Sequence, residues 1–392
     1  ALMVWADLSH VSLSKAPSGE YGWGILLAVL SMISWTAFAL LNARWVKAHP
    51  EVDSAQWTNW LGVATGRPDA MAWFPLFFLF VLLPAADYAL GHDPVNVAPE
   101  REREVALRPW FKALTLACLP VLLAVLAWSA HWFANAGYGP AGLAGWLLSQ
   151  GVVGGILAIN TAHELIHKNT RLERAAGGLL LASVGYHGFK VEHVRGHHVH
   201  VSTPEDASSA RFGQSLWHFL PRAMWRNTLN AWRLEARRLR GLGLPALHWR
   251  NELIGWTLAW GGFAALCLAW LGPVGLGFFL LQGLFAAGSL EIINYVEHYG
   301  LERQRGADGR YERTTHLHSW NSDYALSNLL LFQLQRHSDH HAFPKRRYAV
   351  LRHHPDSPQL PGGYASMFLL ALVPPLWRRV VDPRVPGIRA SG

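Results

Sequence analysis

NTAHELIHK, residues 160–168, closes an apolar run that begins near 140 and sets His163 and His167 four positions apart. On a helix that spacing puts both imidazoles on one face, close enough to share an ion. The run before it, about 140–162, is long enough to cross a hydrocarbon core, which needs about 20 apolar residues in a helix. The sequence thus places a pair of imidazoles at the mouth of a membrane span.

Five further runs of this kind lie at about 21–43, 70–90, 113–134, 252–271 and 274–296, the last two separated only by Gly272 and Pro273. The composition agrees: 51% of the 392 residues are hydrophobic and 15% are charged, against about 25% charged in soluble domains. The fold class expected is an all-α integral membrane protein of about six transmembrane helices, a single domain over 1–392, with the histidines gathered in a di-metal cap. The run at 21–43 is too long, and too weakly charged in front, for a signal peptide. Shorter apolar stretches at 175–189 and 365–377 read as interfacial or re-entrant helices, tolerated where protein covers them. Cys118 and Cys267 both sit in apolar runs with no C-x-x-C, which excludes thiolate metal sites and a disulfide framework.

Orientation follows from Lys and Arg. With six alternating spans, one side carries one such residue before the first span, four in 91–112, thirteen in 163–251 and thirteen after 297. The other side carries Arg44, Lys47 and Arg67. Positive charge marks the cytoplasmic face, so both ends and the large polar segments 163–251 and 297–392 are expected there, and the formal charge of +8 reads as topology and not as a nucleic-acid footprint.

The 21 histidines are unevenly spread. VEHVRGHHVH brings His193, His197 and His198; LQRHSDHHA brings His337, His340 and His341; NYVEHYG places His298 at the exit of the sixth span. All fall on the same side as His163 and His167. Nine imidazoles are too many for one ion and suit two ions of four or five ligands each; neutral imidazole fits Zn, Cu, Fe and Ni. His10, His49, His92, His131, His218, His248, His353 and His354 read as solvated, and His187, His200, His316 and His318 as intermediate. HELIH also matches the H-E-x-x-H helix of zinc proteases, with Glu164 as general base, but one zinc leaves six clustered histidines without a role. A metal transporter fits less well, because the histidines gather at the membrane face and not along the spans.

HELIHK, EHVRGHH, NYVEHYGL, HSWNSD and LQRHSDHHA together resemble the signature boxes of the integral-membrane alkane 1-monooxygenases (alkane omega-hydroxylases), within the histidine-rich membrane di-iron group that includes the fatty acid desaturases. The motifs cover about 160–345. The resemblance implies two irons held by His163, His167, His193, His197, His198, His298, His337, His340 and His341, and O2-dependent hydroxylation of the terminal methyl of medium-chain alkanes. Desaturation of fatty acyl chains, or hydroxylation of another hydrocarbon, is the alternative within the group. Glu164, Glu192, Glu297 and Asp339, with Asp206 and Asp323 behind them, are candidates to hold the imidazoles' other nitrogens. The resemblance also implies a rubredoxin electron donor, separate or fused beyond Gly392, with a flavoprotein reductase upstream, and a place in the bacterial inner membrane. Arg237, Arg238, Arg240, Lys345, Arg346 and Arg347 are candidates for docking that donor. Trp73, Phe77, Phe78, Phe80, Gly151, Gly154 and Gly155 are candidates to line a hydrocarbon tunnel.

Overall fold

A computed structural model describes residues 68–386. The expected span at 21–43 lies outside these residues. The chain divides into two units, Ala1–Met71 and Ala72–Gly392, and the architecture from Ala72 onward belongs to the second.

The described residues are helical, with isolated bridges and no extended strand. Among the described residues, four helices are long and apolar enough to cross a membrane: α1 (Asp69–Leu90), α2 (Pro109–Asn135), α3 (Pro140–Ile166) and α7 (Glu252–His298). Between and after them lie α4 (Arg171–Ser183), α5 (Phe189–Glu192, running on through His193–His197 and His198–His200), α6 (Leu216–Arg240), α8 (His337–Ala342), α9 (Tyr364–Ala371) and α10 (Pro374–Val381). The apolar side chains that α1, α2 and α7 leave exposed, among them Phe77, Val121, Trp128, Leu258, Leu266 and Leu284, are what a lipid-facing surface requires. The chain is a membrane protein.

The 47 residues of α7 would make a straight helix of about 70 Å, more than twice a hydrocarbon core of about 30 Å. Gly272 interrupts it at φ 64° and ψ −158°, a left-handed backbone that glycine adopts without a steric penalty. Pro273 follows and cannot donate to the preceding turn. The two expected runs, 252–271 and 274–296, are the two arms of this broken helix.

Small residues let the second arm of α7 lie close to α3 and to the end of α4. A Cβ on Gly151 would meet Phe285 Cβ at 2.5 Å, and one on Gly283 would meet the Val184 carbonyl oxygen at 2.5 Å. The stretch at 175–189 forms α4 and its following turn, with Leu180, Leu181 and Ala182 wholly buried by protein. A second core gathers Tyr295 and Tyr299 of α7, Phe219 of α6, Met367 of α9 and Trp377 of α10 around Trp320. Trp320 donates from Nε1 to the Tyr299 carbonyl at 2.9 Å. This core fixes the end of α7, and with it His298.

Candidate dinuclear metal centre

Two π-helical turns shape the site. One, Gly155–Asn160, lies immediately before HELIH in α3; the other, His193–His197, lies within α5. A π turn takes about one extra residue per turn and brings i and i+5 together, and such turns concentrate at functional sites. In α5 the consequence is direct. His193 Nε2 faces His198 Nε2 at 3.0 Å, while His197 turns to the other group. The i, i+4 spacing of His193 and His197, read as α-helix, does not make them share an ion.

All nine histidines converge, in two groups whose ligand atoms lie within 4.8 Å of one another. His163, His167, His193, His198 and His340 form a group of five; His197, His298, His337 and His341 form a group of four. Each group therefore draws on α5 and α8 together, with α3 completing the first and the end of α7 the second. The two groups touch, the His198 and His341 ring centres being 4.4 Å apart.

The ring nitrogens face inward. His340 Nε2 lies 3.1 Å from His198 Nε2, His341 Nε2 lies 3.0 Å from His337 Nε2, and His197 Nε2 lies 3.3 Å from His341 Nε2. Two imidazole nitrogens on one ion at about 2.1 Å stand about 3.0 Å apart at a right angle and about 3.4 Å apart at the tetrahedral angle. His163 Nε2, His167 Nε2 and His298 Nε2 are buried without a hydrogen-bond partner, an expensive condition that a bound cation relieves. Burial first, and neighbouring imidazoles second, hold His167, His193, His198, His337, His340 and His341 well below the ordinary histidine range. They are neutral at physiological pH, the form a metal needs. The residues present fit a pair of transition-metal ions.

The scaffold behind the rings is polar and buried. Asp206 Oδ2 accepts from His197 Nδ1 at 2.9 Å. Burial alone would raise the Asp206 carboxyl, but the His197 ring and the bonds from His197 and Ser209 hold it at about 2. Ser319 Oγ lies 3.3 Å from His298 Nδ1. Asn321 clamps the start of α8, accepting from the Ser338 N–H at 2.9 Å and donating to Ser338 Oγ at 2.6 Å. One residue before α8, the buried Arg336 guanidinium donates to the carbonyls of Leu351, Asp93 and Val95. Of the four carboxylates expected foremost behind the imidazoles, Glu297 alone lies against a ring nitrogen of the nine, with Oε2 3.1 Å from His337 Nε2. Glu164 pairs with Lys168 at 3.0 Å and accepts the Tyr348 N–H. Asp339 pairs with Arg346 and His354, Asp323 with His92 and His353, and Glu192 packs against Gly196.

The family model for fatty acid desaturases matches residues 140–371, which include all nine histidines. Alkane 1-monooxygenase 2 of Pseudomonas aeruginosa is 56% identical over 85% of this chain and 89% of its own length. A second alkane 1-monooxygenase 2, of Alcanivorax borkumensis, is 54% identical over 83% of this chain and 85% of its own. The chain belongs to the alkane 1-monooxygenase family. A more distant relative, the hydroxylase component of the xylene/toluene monooxygenase of Pseudomonas putida, is 29% identical over 61% of this chain and 63% of its own. The chain is therefore an oxidoreductase of the monooxygenase type.

For an alkane 1-monooxygenase, the spaces beside the centre matter as much as the ligands. An apolar cavity of about 100 Å³ between α1, α3, α7 and α9 reaches His163, with Phe80, Gly155, Ile156, Ile293 and Phe368 in its wall. Of the seven residues considered for a tunnel, Phe80 and Gly155 line this cavity. Trp73, Phe77 and Phe78 instead stand 38–48% exposed on α1, and Gly151 and Gly154 bring α3 against Phe285 and Ala286. On another side, a depression of about 660 Å³ opens over His198 and His341, with Arg303, Arg305, Arg310 and Arg313 around it. The basic residues expected to dock a donor are partly committed elsewhere: Arg238 to Glu235, Arg346 to Asp339 and Arg347 to Glu173. Arg237, Arg240 and Lys345 remain exposed. The arginines at the mouth of the site carry no signal in the sequence, because 303–313 holds no histidine box.

Proposed function

We propose that this protein hydroxylates the terminal methyl of medium-chain alkanes to primary alcohols, using O2 and two electrons delivered by a rubredoxin that a flavoprotein reductase recharges. The observation that carries the reading is the apolar cavity that reaches His163 of the five-histidine group. A substrate without a polar group partitions into lipid, and a wall of Phe80, Ile156, Ile293 and Phe368 offers it nothing but dispersion contacts and the exclusion of water. Terminal attack follows where only the tip of the chain reaches the metals beside His163.

The metals would be two irons, held by the five- and four-histidine groups. A reduced iron pair supplies the activation of O2 needed to attack an unactivated C–H bond. The protein's share is to hold nine imidazoles in place, to orient His197 through Asp206 and His298 through Ser319, and to keep water from the cavity. The donor would dock where Arg303, Arg305, Arg310 and Arg313 surround the depression over His198 and His341, since a basic rim attracts an acidic protein. Six spans, with 21–43 the first and the two arms of α7 the last two, would put both ends and the metal groups on the cytoplasmic side of the inner membrane. The zinc-protease reading is disfavoured by Glu164, the base it requires, which pairs with the buried Lys168.

The test is elemental analysis of the detergent-purified protein followed by turnover of octane with rubredoxin and its reductase. The expected result is two irons per chain and 1-octanol as the product. One zinc with little iron, or oxidation at internal carbons, overturns the reading.

A further inference from the structure

Glu297 is the last residue but one of α7, 2% exposed, and directly precedes His298. Its Oε2 lies 3.1 Å from His337 Nε2. That same nitrogen is 3.0 Å from His341 Nε2, which is 3.3 Å from His197 Nε2. The carboxylate thus reaches the inner side of the four-histidine group, where the donor nitrogens face one another, and not the back of a ring as Asp206 does.

This position is restrictive once the nine histidines are read as a two-metal site, and the role of Glu297 rests on that reading. A ring nitrogen that gives its lone pair to a metal carries no proton, so it cannot donate to a carboxylate beside it. Two bare acceptors 3.1 Å apart in a buried site repel, unless a cation lies against both. Glu297 is buried with the Tyr364 hydroxyl as its neutral neighbour, and a carboxylate removed from water needs a countercharge.

Charge balance points the same way. Neutral imidazoles bring no charge to a divalent ion in a dry pocket. Asp206 reaches the four-histidine group only through the His197 ring. The group of five has one more imidazole than the group of four, which leaves room for one further donor in the smaller. We infer that Glu297 is a direct ligand of the metal held by His197, His298, His337 and His341, its fifth protein donor.

The two metals are then unlike. One sits among five neutral rings; the other has a carboxylate bound and a second carboxylate behind His197. The anionic site favours the higher oxidation state and gives up its electron first. Glu192 shows that the local sequence does not decide this. It too stands between a valine and a histidine, as Val191-Glu192-His193, yet it packs against Gly196 and bonds none of the nine rings.

The experiment is Mössbauer spectroscopy of the full-length, detergent-purified protein loaded with ⁵⁷Fe and reduced without oxygen, alongside total iron. Wild type is expected to show two quadrupole doublets of equal area and two irons per chain. Glu297→Gln is expected to shift or lose one doublet and leave the other in place, total iron falling toward one per chain where the doublet is lost. Both doublets unmoved with two irons retained overturns the assignment. Wild type lacking two irons overturns the two-metal reading itself, a result distinct from a normal wild type with an unaffected variant. Should Glu297→Gln fail to fold, an experimental density map of the metal-loaded wild type decides. Continuous density between the Glu297 carboxylate and the metal supports the assignment, and a carboxylate turned away from it overturns it.

Discussion

Asp206 Oδ2 accepts a hydrogen bond from His197 Nδ1 at 2.9 Å, with both side chains almost wholly buried. The bond fixes which nitrogen of His197 carries the proton and leaves Nε2 bare toward His341 and the interior of the four-histidine group. Carboxylates in this position typically contribute 10–100-fold to metal affinity. Asp206→Asn is therefore expected to weaken metal retention by about that factor, concentrated in one of the two metals. Chelator titration followed by iron analysis checks it; loss of both metals in parallel would contradict the division into two groups.

The cavity wall sets the length of chain accepted. A Cβ at Gly155 would meet only Ser289, at 3.8 Å, so a larger side chain there enters the cavity without moving the helix. Gly155→Leu is expected to displace about two methylenes of substrate, at about 0.8 kcal/mol each, a selectivity change of roughly tenfold or more toward shorter alkanes. Competition between octane and a longer alkane, read by gas chromatography, measures it. An unchanged ratio would remove Gly155 from the substrate path.

Gly283 holds α7 against the turn after α4. A methyl group there would stand 2.5 Å from the Val184 carbonyl oxygen and 2.9 Å from its carbon, backbone that has no flexible end to give way. Gly283→Ala is expected to cost about 1–3 kcal/mol and lower the melting temperature in detergent. Gly277→Ala, on the same helix with open space around it, is expected to leave it unchanged or slightly raised. Equal melting temperatures for the two variants would show that the contact is not tight.

Glu173 stands in the first turn of α4, where Thr170 is the N-cap, and ties the helix to the segment after α8. Its N–H donates to Thr170 Oγ1 at 3.2 Å, and its carboxylate accepts from Arg347 at 2.8 Å. Burial alone would raise the Glu173 carboxyl, but Thr170, Arg347 and Lys112 together hold it below the usual value of 4.5. A carboxyl depressed in the folded state adds stability that is full above the unfolded value and is lost as pH falls through the folded one. Glu173→Gln is expected to melt below wild type at pH 7, the gap closing as pH drops beneath 4.5. A gap that stays constant down to about pH 3 would assign the effect to the lost bonds and not to the charge.

The nine histidines were legible because their spacing is local and their boxes share one polar side of the apolar runs. Their division was not. His193 and His197 look like an α-helical pair, and only the π turn shows that His198 is the true neighbour of His193. The carboxylates were less legible still. Glu164, Glu192 and Asp339 stand next to or near the histidines in sequence but aim elsewhere, whereas Asp206 lies nine residues from His197 on a loop that folds back. Ser319, Asn321 and Arg336 act through contacts across the fold, which no short motif encodes. The apolar runs mark the spans within the described residues to within a few residues. They also mark the break at Gly272 and Pro273, where composition and backbone chemistry agree.

Each histidine group joins rings from α5 with rings from α8, as in the contacts of His198 with His340 and of His197 with His341, 142 and 144 residues apart. Synthesis at about 5–20 residues per second puts roughly 7–30 s between the emergence of one ring and its partner. Through that interval the nascent chain carries two half-built pockets while the helices between them are made. Neither group has all its rings before His340 and His341 have left the ribosome, after the bilayer segments have been made. A chain cut short before His337 keeps six of the nine rings, four of the first group and two of the second.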